Sequence, residues 1–111
     1  MAKTVISKEV KEEVIKIIND FNITNFDDYV EDLFYFAEFK RNFFYLKRRE
    51  FGRTSPIARM TYTGDLKKWN FAIYKWSIED YDPDEWFFPG EHHVDGTIEG
   101  AMKAGLEAYP V

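Results

Sequence analysis

The pattern of apolar residues along the chain changes from a helical repeat to a strand-like alternation near residue 33. Between residues 7 and 21, apolar side chains recur at intervals of three and four, and charged side chains fill most positions between them. Ser7 is placed to cap the first turn of a helix, and Glu9 suits the positive end of its dipole. The segment is therefore predicted to form an amphipathic helix that covers a sheet. Its apolar positions are Val10, Val14, Ile17, Ile18 and Phe21.

Four stretches rich in aromatic and β-branched residues follow this helix. They comprise residues 33–40, 43–51, 57–63 and 69–77. The connections carry turn residues: Asn42 tolerates the positive φ of a tight hairpin, segment 52–56 contains both Gly and Pro, and Gly64 begins the last turn. This spacing predicts a four-stranded antiparallel meander. Asn25 and Asp28 resemble a capping pair, which predicts a short helical turn before the first strand.

The alternation within the strands predicts which side chains share a face. Successive side chains of a strand point to opposite sides of the sheet. The set expected to face the helices is Phe44, Leu46, Ala58, Met60 and Tyr62. The set expected to face outward is Tyr45, Lys47, Arg49 and Arg59 together with two threonines. The fourth strand has apolar residues pointing to both sides of the sheet, so we expect other parts of the chain to pack on both of its faces.

The C-terminal third is predicted to contain an aromatic loop and a second helix. The loop, residues 79–90, is acidic and rich in turn residues, and its aromatic side chains are expected to dock back onto the fold. Residues 97–108 show helical periodicity, and Asp95 is placed to cap them. Gly100 and Gly105 each weaken such a helix by about 1 kcal/mol, so we expect tight packing to hold it. The predicted fold is one α+β domain over residues 1–111, in the order α-β-β-β-β-α.

Composition narrows the class of protein. The 21 aromatic residues among 111 are many for a small interior, so we expect some of them at a surface groove or an interface. The absence of cysteine excludes disulfides, thiolate catalysis and cysteine-zinc sites. No apolar run reaches the roughly 20 residues of a membrane span, and the first residues do not resemble a signal peptide. We therefore expect a cytoplasmic protein that does not associate with membranes.

The charges are unevenly distributed and give a first hypothesis about function. Residues 40–75 hold ten basic and two acidic side chains, whereas the flanks 1–39 and 76–111 carry net charges of −5 and −8. Cations interleaved with aromatic rings on a sheet face are typical of single-stranded nucleic-acid binding. The candidate residues are Tyr45, Lys47, Arg49 and Arg59. The net charge of −5 disfavours this hypothesis, and the alternative is that the acidic first helix and the segment 79–90 lie over the basic sheet and neutralise it.

A second hypothesis concerns the acids and histidines of residues 80–95. Oxygen and imidazole ligands at this density suggest a divalent cation, with His92, His93 and Asp95 as the candidate ligands of a metal-dependent enzyme. The spacing matches neither a calcium loop nor a His-Glu-x-x-His helix, and adjacent histidines on extended backbone point in opposite directions. No nucleophile elbow, phosphate-binding loop or dinucleotide motif is present, so we predict no catalytic residue and no cofactor.

A third hypothesis, which we favour, is a non-catalytic module for protein interaction or oligomerisation. Aromatic side chains supply much of the binding energy of protein interfaces. The candidates are Trp86, Phe87 and Phe88, and the partner is another protein or a second copy in a homodimer. Segments 53–90 and 94–110 also resemble a group of small prokaryotic proteins without an assigned activity. That resemblance implies a prokaryotic, cytoplasmic protein and no particular reaction.

Overall fold

One antiparallel sheet and two helices form the part of the chain described by the computed structural model, residues 5–26, 32–84 and 88–110. The sheet order is β1-β2-β3-β4-β5, and every neighbouring pair is antiparallel. The α+β class and the meander are confirmed. The elements are α1 (Lys8–Asn25), β1 (Leu33–Phe39), β2 (Phe43–Glu50), β3 (Arg53–Thr61), β4 (Asn70–Lys75), β5 (Asp80–Asp82), a 3-10 turn (Glu91–His93) and α2 (Ile98–Ala108). The turn predicted at Asn25 and Asp28 falls mostly outside the described residues.

Within the described residues the sheet has five strands, so the predicted count of four is wrong. The additional strand, β5, pairs with the end of β4 and places Tyr81 opposite Tyr74. It lies inside the acidic segment that was predicted to be a loop. A strand of three residues with one apolar side chain has no detectable alternation, and its backbone pairing with β4 is what defines it.

The turn between β2 and β3 is shorter than predicted. Phe51 and Gly52 have φ values of 49° and 93°, as a two-residue hairpin turn of type I′ requires. The strand resumes at Arg53, four residues before the predicted start at Ile57. The proline at position 56 suggested a longer turn, but the structure places it within the strand.

A β-bulge explains how β3 accommodates this proline. Leu46 lies opposite Ala58. The next residue of β2, Lys47, lies opposite Pro56, so Ile57 is an extra residue in β3. Proline lacks a backbone N–H and is tolerated at such irregularities. As a result, Ile57 and Ala58 are both buried although they are adjacent.

Both helices pack on the same face of the sheet. The residues predicted to face them are confirmed there, with Phe44, Leu46 and Met60 fully buried and Tyr62 packed against the core. Helix α1 contributes Val14, Ile18 and Phe21, and α2 contributes Ile98, Ala101 and Met102. The opposite face of the sheet is therefore not covered by either helix.

Arg48 lies in the core, on the helix side of β2, where its side chain is 1% exposed. Its Nε donates to a carboxylate oxygen of Glu50 at 2.9 Å, and its Nη1 donates to the hydroxyl of Tyr35 at 3.2 Å. It also donates to the backbone carbonyls of Gly105 and Tyr109 at the end of α2. The guanidinium thus joins the sheet to the C-terminal end of α2, where the carbonyl of Gly105 also accepts from the N–H of Tyr109.

The two glycines of α2 allow the close approach that the sequence predicts. A Cβ atom at Gly105 would lie 2.7 Å from the Cγ2 of Ile57 and 2.7 Å from the hydroxyl oxygen of Tyr35. A Cβ at Gly100 would overlap the carbonyl oxygen of His93. Packing against β1, β3 and the 3-10 turn therefore requires glycine at both positions.

Asn22 ties α1 to the free edge of the sheet. β1 is the first strand of the sheet order, and no described strand pairs with its other edge. At that edge, the N–H of Tyr35 donates to Oδ1 of Asn22 at 2.8 Å. Nδ2 of Asn22 in turn donates to the carbonyl of Tyr35 at 2.9 Å. The side chain satisfies the two backbone groups much as a neighbouring strand does.

The Arg48–Glu50 pair leads to a prediction about acid stability. Burial raises the pKa of Glu50, but hydrogen bonds from Ser55 and Arg48, with the charge of Arg48, lower it below its ordinary value of 4.5. A carboxylate with a lowered pKa stabilises the fold above its ordinary pKa and loses that contribution as the pH falls through the folded value. We expect the stability difference between the native protein and Glu50→Gln to be largest near neutral pH and to shrink below about pH 4.5. Urea unfolding from pH 7 to pH 3 measures it, and a difference that does not change with pH would contradict the prediction.

Candidate functional site

The first candidate site is the face of the sheet opposite the helices, here called the outer face. The strand register places Tyr45 opposite Arg59, and it places Lys47 and Arg49 opposite Phe36 and Phe34. The four residues predicted to face outward together therefore do share one face. Other side chains on this face are Phe34, Phe36, Glu38, Phe43, Tyr74 and Tyr81.

The aromatic rings of the outer face contact one another across the sheet. The rings of Tyr45 and Tyr81 stack at a centroid distance of 5.1 Å, although β3 and β4 separate their strands. Tyr74 meets the edge of Tyr81, also at 5.1 Å. Beside these rings, Ala72 is only 3% exposed. Burial and the neighbouring tyrosines raise the pKa of Tyr81 to about 12. The acidic segment thus partly covers the outer face, through Tyr81.

The row of rings continues past the end of the sheet. Trp76 follows β4, and its ring lies 5.0 Å from that of Tyr74. Its side chain is 57% exposed, as is common for an interface residue and uncommon for a core tryptophan. The exposed side chain of Ile78 lies in the same turn. Sequence analysis did not single out these two residues, because strand periodicity placed Trp76 within β4.

The cations of the outer face have few acidic partners. Nζ of Lys47 contacts Glu38 at 2.7 Å, and Arg59 lies 5.9 Å from the ring centre of Tyr81. Arg49 donates to the hydroxyl of Thr54 at 3.0 Å. Glu38 is the only acid on this face among the described strand residues, and it lies just before the basic stretch that the charge count identified. A hydrogen bond and the charge of Lys47 hold the pKa of Glu38 below its ordinary value.

The helices do not neutralise the basic face as one interpretation proposed. Their apolar faces pack on the other side of the sheet. In the described part of segment 79–90, Asp82 forms an ion pair with Lys75 of β4 at 3.6 Å. The hypothesis of a covering acidic helix is therefore wrong. Among the described strand residues, the outer face has an excess of positive charge.

The predicted interaction residues are only partly described. Trp86 and Phe87 lie outside the described residues. Phe88 stacks on Phe71 at a centroid distance of 5.9 Å, and Phe71 is buried in the core on the helix side. Phe88 therefore extends the core. Its proposed part in binding stays a prediction.

The second candidate site is formed by the adjacent histidines. His92 and His93 lie in a 3-10 turn, where their ring centroids are 4.1 Å apart, so they do not point in opposite directions. Both rings approach Glu107 in the last turns of α2. Sequence analysis missed Glu107 because it follows the histidines by more than a dozen residues.

Asp95, the third predicted metal ligand, has other partners. It accepts hydrogen bonds from the hydroxyl and, at 3.0 Å, the backbone N–H of Thr97. These bonds hold the pKa of Asp95 below its ordinary value. Thr97 itself caps α2 by accepting from the N–H of Gly100 at 3.0 Å. The N-cap of α2 is therefore Thr97 and not, as was predicted, Asp95. Asp95 holds Thr97 in place through its hydrogen bonds.

Comparisons with protein-family models, with curated proteins and with solved structures found no match to this chain. The resemblance to small prokaryotic proteins therefore stays a prediction. Among the described residues, no helix is long and apolar enough to cross a membrane.

Proposed function

We propose that the chain is a non-catalytic protein-interaction module whose outer face binds an acidic segment of another protein. The observation that carries this proposal is the placement of both helices on one side of the sheet. That placement leaves aromatic rings and cations together on the other side. The binding surface would be centred on Tyr45, Lys47, Arg49 and Arg59 and would extend to Trp76.

The aromatic contacts support a protein-binding surface. Tyr, Trp and Arg are the residue types most enriched among those that dominate the binding energy of interfaces. On the outer face, Tyr45, Tyr74 and Tyr81 hold one another in position. Rings that are already ordered lose little conformational entropy when a partner binds.

The charges favour an acidic partner over a second copy of this face. Three cations of the outer face, Lys47, Arg49 and Arg59, are accompanied by the single acid Glu38 among the described strand residues. Two copies joined through this face would bring like charges together, which opposes association. An acidic segment with apolar side chains would instead pair with the cations and pack on the rings.

Ring packing also favours a protein over single-stranded nucleic acid. Bases bind to proteins by stacking on exposed ring faces. Tyr45 and Tyr81 stack on each other at an interplanar angle of 25°, so each covers one face of the other.

The proposal predicts selective and charge-dependent binding. We expect a fluorescent peptide that alternates Glu with Tyr and Phe to bind the protein in an anisotropy titration, more tightly at low salt. The double variant Arg49→Glu/Arg59→Glu should weaken this binding by at least about tenfold, or about 1.4 kcal/mol. The matched control is Lys8→Glu/Lys16→Glu, which makes the same charge change on exposed positions of α1 and should have a much smaller effect.

A labelled oligothymidylate of similar length separates the two classes of partner. We expect it not to bind at either salt concentration. If it binds and the peptide does not, and Arg49→Glu/Arg59→Glu abolishes that binding, the nucleic-acid hypothesis replaces the proposal. If neither probe binds, or if both double variants weaken peptide binding equally, the outer face is not the proposed surface.

A further inference from the structure

We infer that His92, His93 and Glu107 form a binding site for one divalent transition-metal ion, with Zn²⁺ as the best fit. The site is separate from the proposed protein-binding surface because it lies on the helix side of the sheet. It differs from the set predicted from sequence in that Glu107 replaces Asp95. The inference rests on the positions of the donor atoms and on how the fold holds them.

The three side chains bring suitable donor atoms close together. One ligand atom from each of His92, His93 and Glu107 lies within 4.8 Å of the other two. Nε2 of His93 is 3.4 Å from Oε1 of Glu107, and Nε2 of His92 is 3.9 Å from Oε2. Ligands of a tetrahedral zinc ion are about 3.3 Å apart, given bonds of about 2.0–2.1 Å. Small side-chain rotations would therefore bring all three atoms into coordination.

The backbone holds the two histidines against α2. Gly90, which begins the 3-10 turn, has a φ of 91°. A Cβ there would lie 2.7 Å from the carbonyl oxygen of Ala104 and 2.9 Å from Cβ of Glu107. At the other end of the turn, the carbonyl of His93 sits directly against Gly100. Contacts at both ends of the turn thus place the imidazoles beside Glu107 before any ion binds.

The donor types select the class of ion. Two imidazoles with one carboxylate suit Zn²⁺ and its transition-metal neighbours, whereas Mg²⁺ and Ca²⁺ prefer sites made of oxygen atoms. The side chains of His92 and Glu107 are 68% and 46% exposed, which leaves room for water to complete the coordination.

Zinc titration of the untagged protein tests the inference. A polyhistidine tag must be absent because it would bind the ion itself. After treatment with EDTA and dialysis, we expect calorimetry and native mass spectrometry to show one Zn²⁺ per chain, retained in excess Mg²⁺. His93→Ala and Glu107→Gln should each lower the affinity at least about tenfold. The thermal midpoint should rise with Zn²⁺ in the native protein and not in Glu107→Gln.

Two further variants make the result specific to these residues. Glu12→Gln removes an exposed carboxylate from α1, which is neither in the group nor in the lining of the cleft, and should leave zinc affinity unchanged. Arg49→Glu/Arg59→Glu should also bind zinc normally, so failure of the protein-interaction proposal would not affect this test. Undetectable zinc binding, or equal affinity in the native protein and Glu107→Gln, would overturn the inference. Equal losses in Glu12→Gln and Glu107→Gln would show diffuse electrostatic attraction and would overturn it as well.

Discussion

We expect Arg48→Ala to lower the free energy of unfolding by about 3–5 kcal/mol, as is typical when one partner of a buried ion pair is removed. The substitution leaves the buried hydroxyl of Tyr35, the carbonyls of Gly105 and Tyr109 and the carboxylate of Glu50 without this donor. Domains of this size are commonly stable by only about 5–15 kcal/mol. A loss of this size therefore raises the fraction of unfolded molecules substantially at 37 °C. Urea denaturation followed by circular dichroism measures the change.

The adjacent residue provides a matched control for this prediction. Arg49 has the same side chain and lies in the same strand, but it is exposed and donates to Thr54 on the outer face. We expect Arg49→Ala to change stability by no more than about 0.5 kcal/mol. Equal losses in the two variants would mean that the buried network does not stabilise the fold as described.

Asn22→Leu is expected to have the second largest effect, a loss of about 2–4 kcal/mol. The leucine is similar in size but cannot satisfy the N–H and carbonyl of Tyr35, and an unsatisfied buried polar group costs about 1–3 kcal/mol. The same change would release α1 from the edge strand β1. Exposed edge strands promote pairing between chains, so we also expect light scattering to rise as this variant is heated.

Asn19→Leu is the control for the edge contact. Asn19 lies on the same helix but is exposed, so its substitution should change stability by no more than about 0.5 kcal/mol. Thermal and urea unfolding of both variants would test the difference. If Asn22→Leu is as stable as the native protein, water or a shift of α1 must satisfy the edge of β1 in its place.

These two contacts bear on the choice of variants for functional experiments. Strand β2 carries a structural arginine, Arg48, directly beside the candidate binding residues Lys47 and Arg49. A loss of binding in an Arg48 variant would therefore report unfolding and not recognition. Substitutions at Arg49 and Arg59 change the outer face without removing a donor from the core.

Much of the fold could be predicted because it depends on local periodicity. Helix α1 repeats its apolar residues at helical spacing, and β2 alternates so regularly that Phe44, Leu46 and Tyr45 were placed on their correct sides. The start of β3 could not be predicted, since Pro56 is a turn residue unless a bulge accommodates it. Strand β5 could not be predicted either, because three residues contain too little pattern.

The candidate sites were also only partly predictable from the sequence. The grouping of Tyr45, Lys47, Arg49 and Arg59 on one face follows from the two-residue period of a strand. The ring of Tyr81 over that face, and the approach of Glu107 to His92 and His93, depend on contacts between residues far apart in the chain.

The position of Arg48 shows most clearly where local information ends. Arg48 lies an even number of residues from Phe44 and Leu46 along β2, so the strand period indicates that it points toward the helices. By its charge it belongs to the basic stretch of residues 40–75. Neither reveals that α2 ends where its carbonyls can accept hydrogen bonds from the guanidinium. Periodicity decides which side of an element is apolar, because that depends on neighbours along the chain. Partners for buried charges and donor atoms depend on where distant elements pack, and only the tertiary structure determines that.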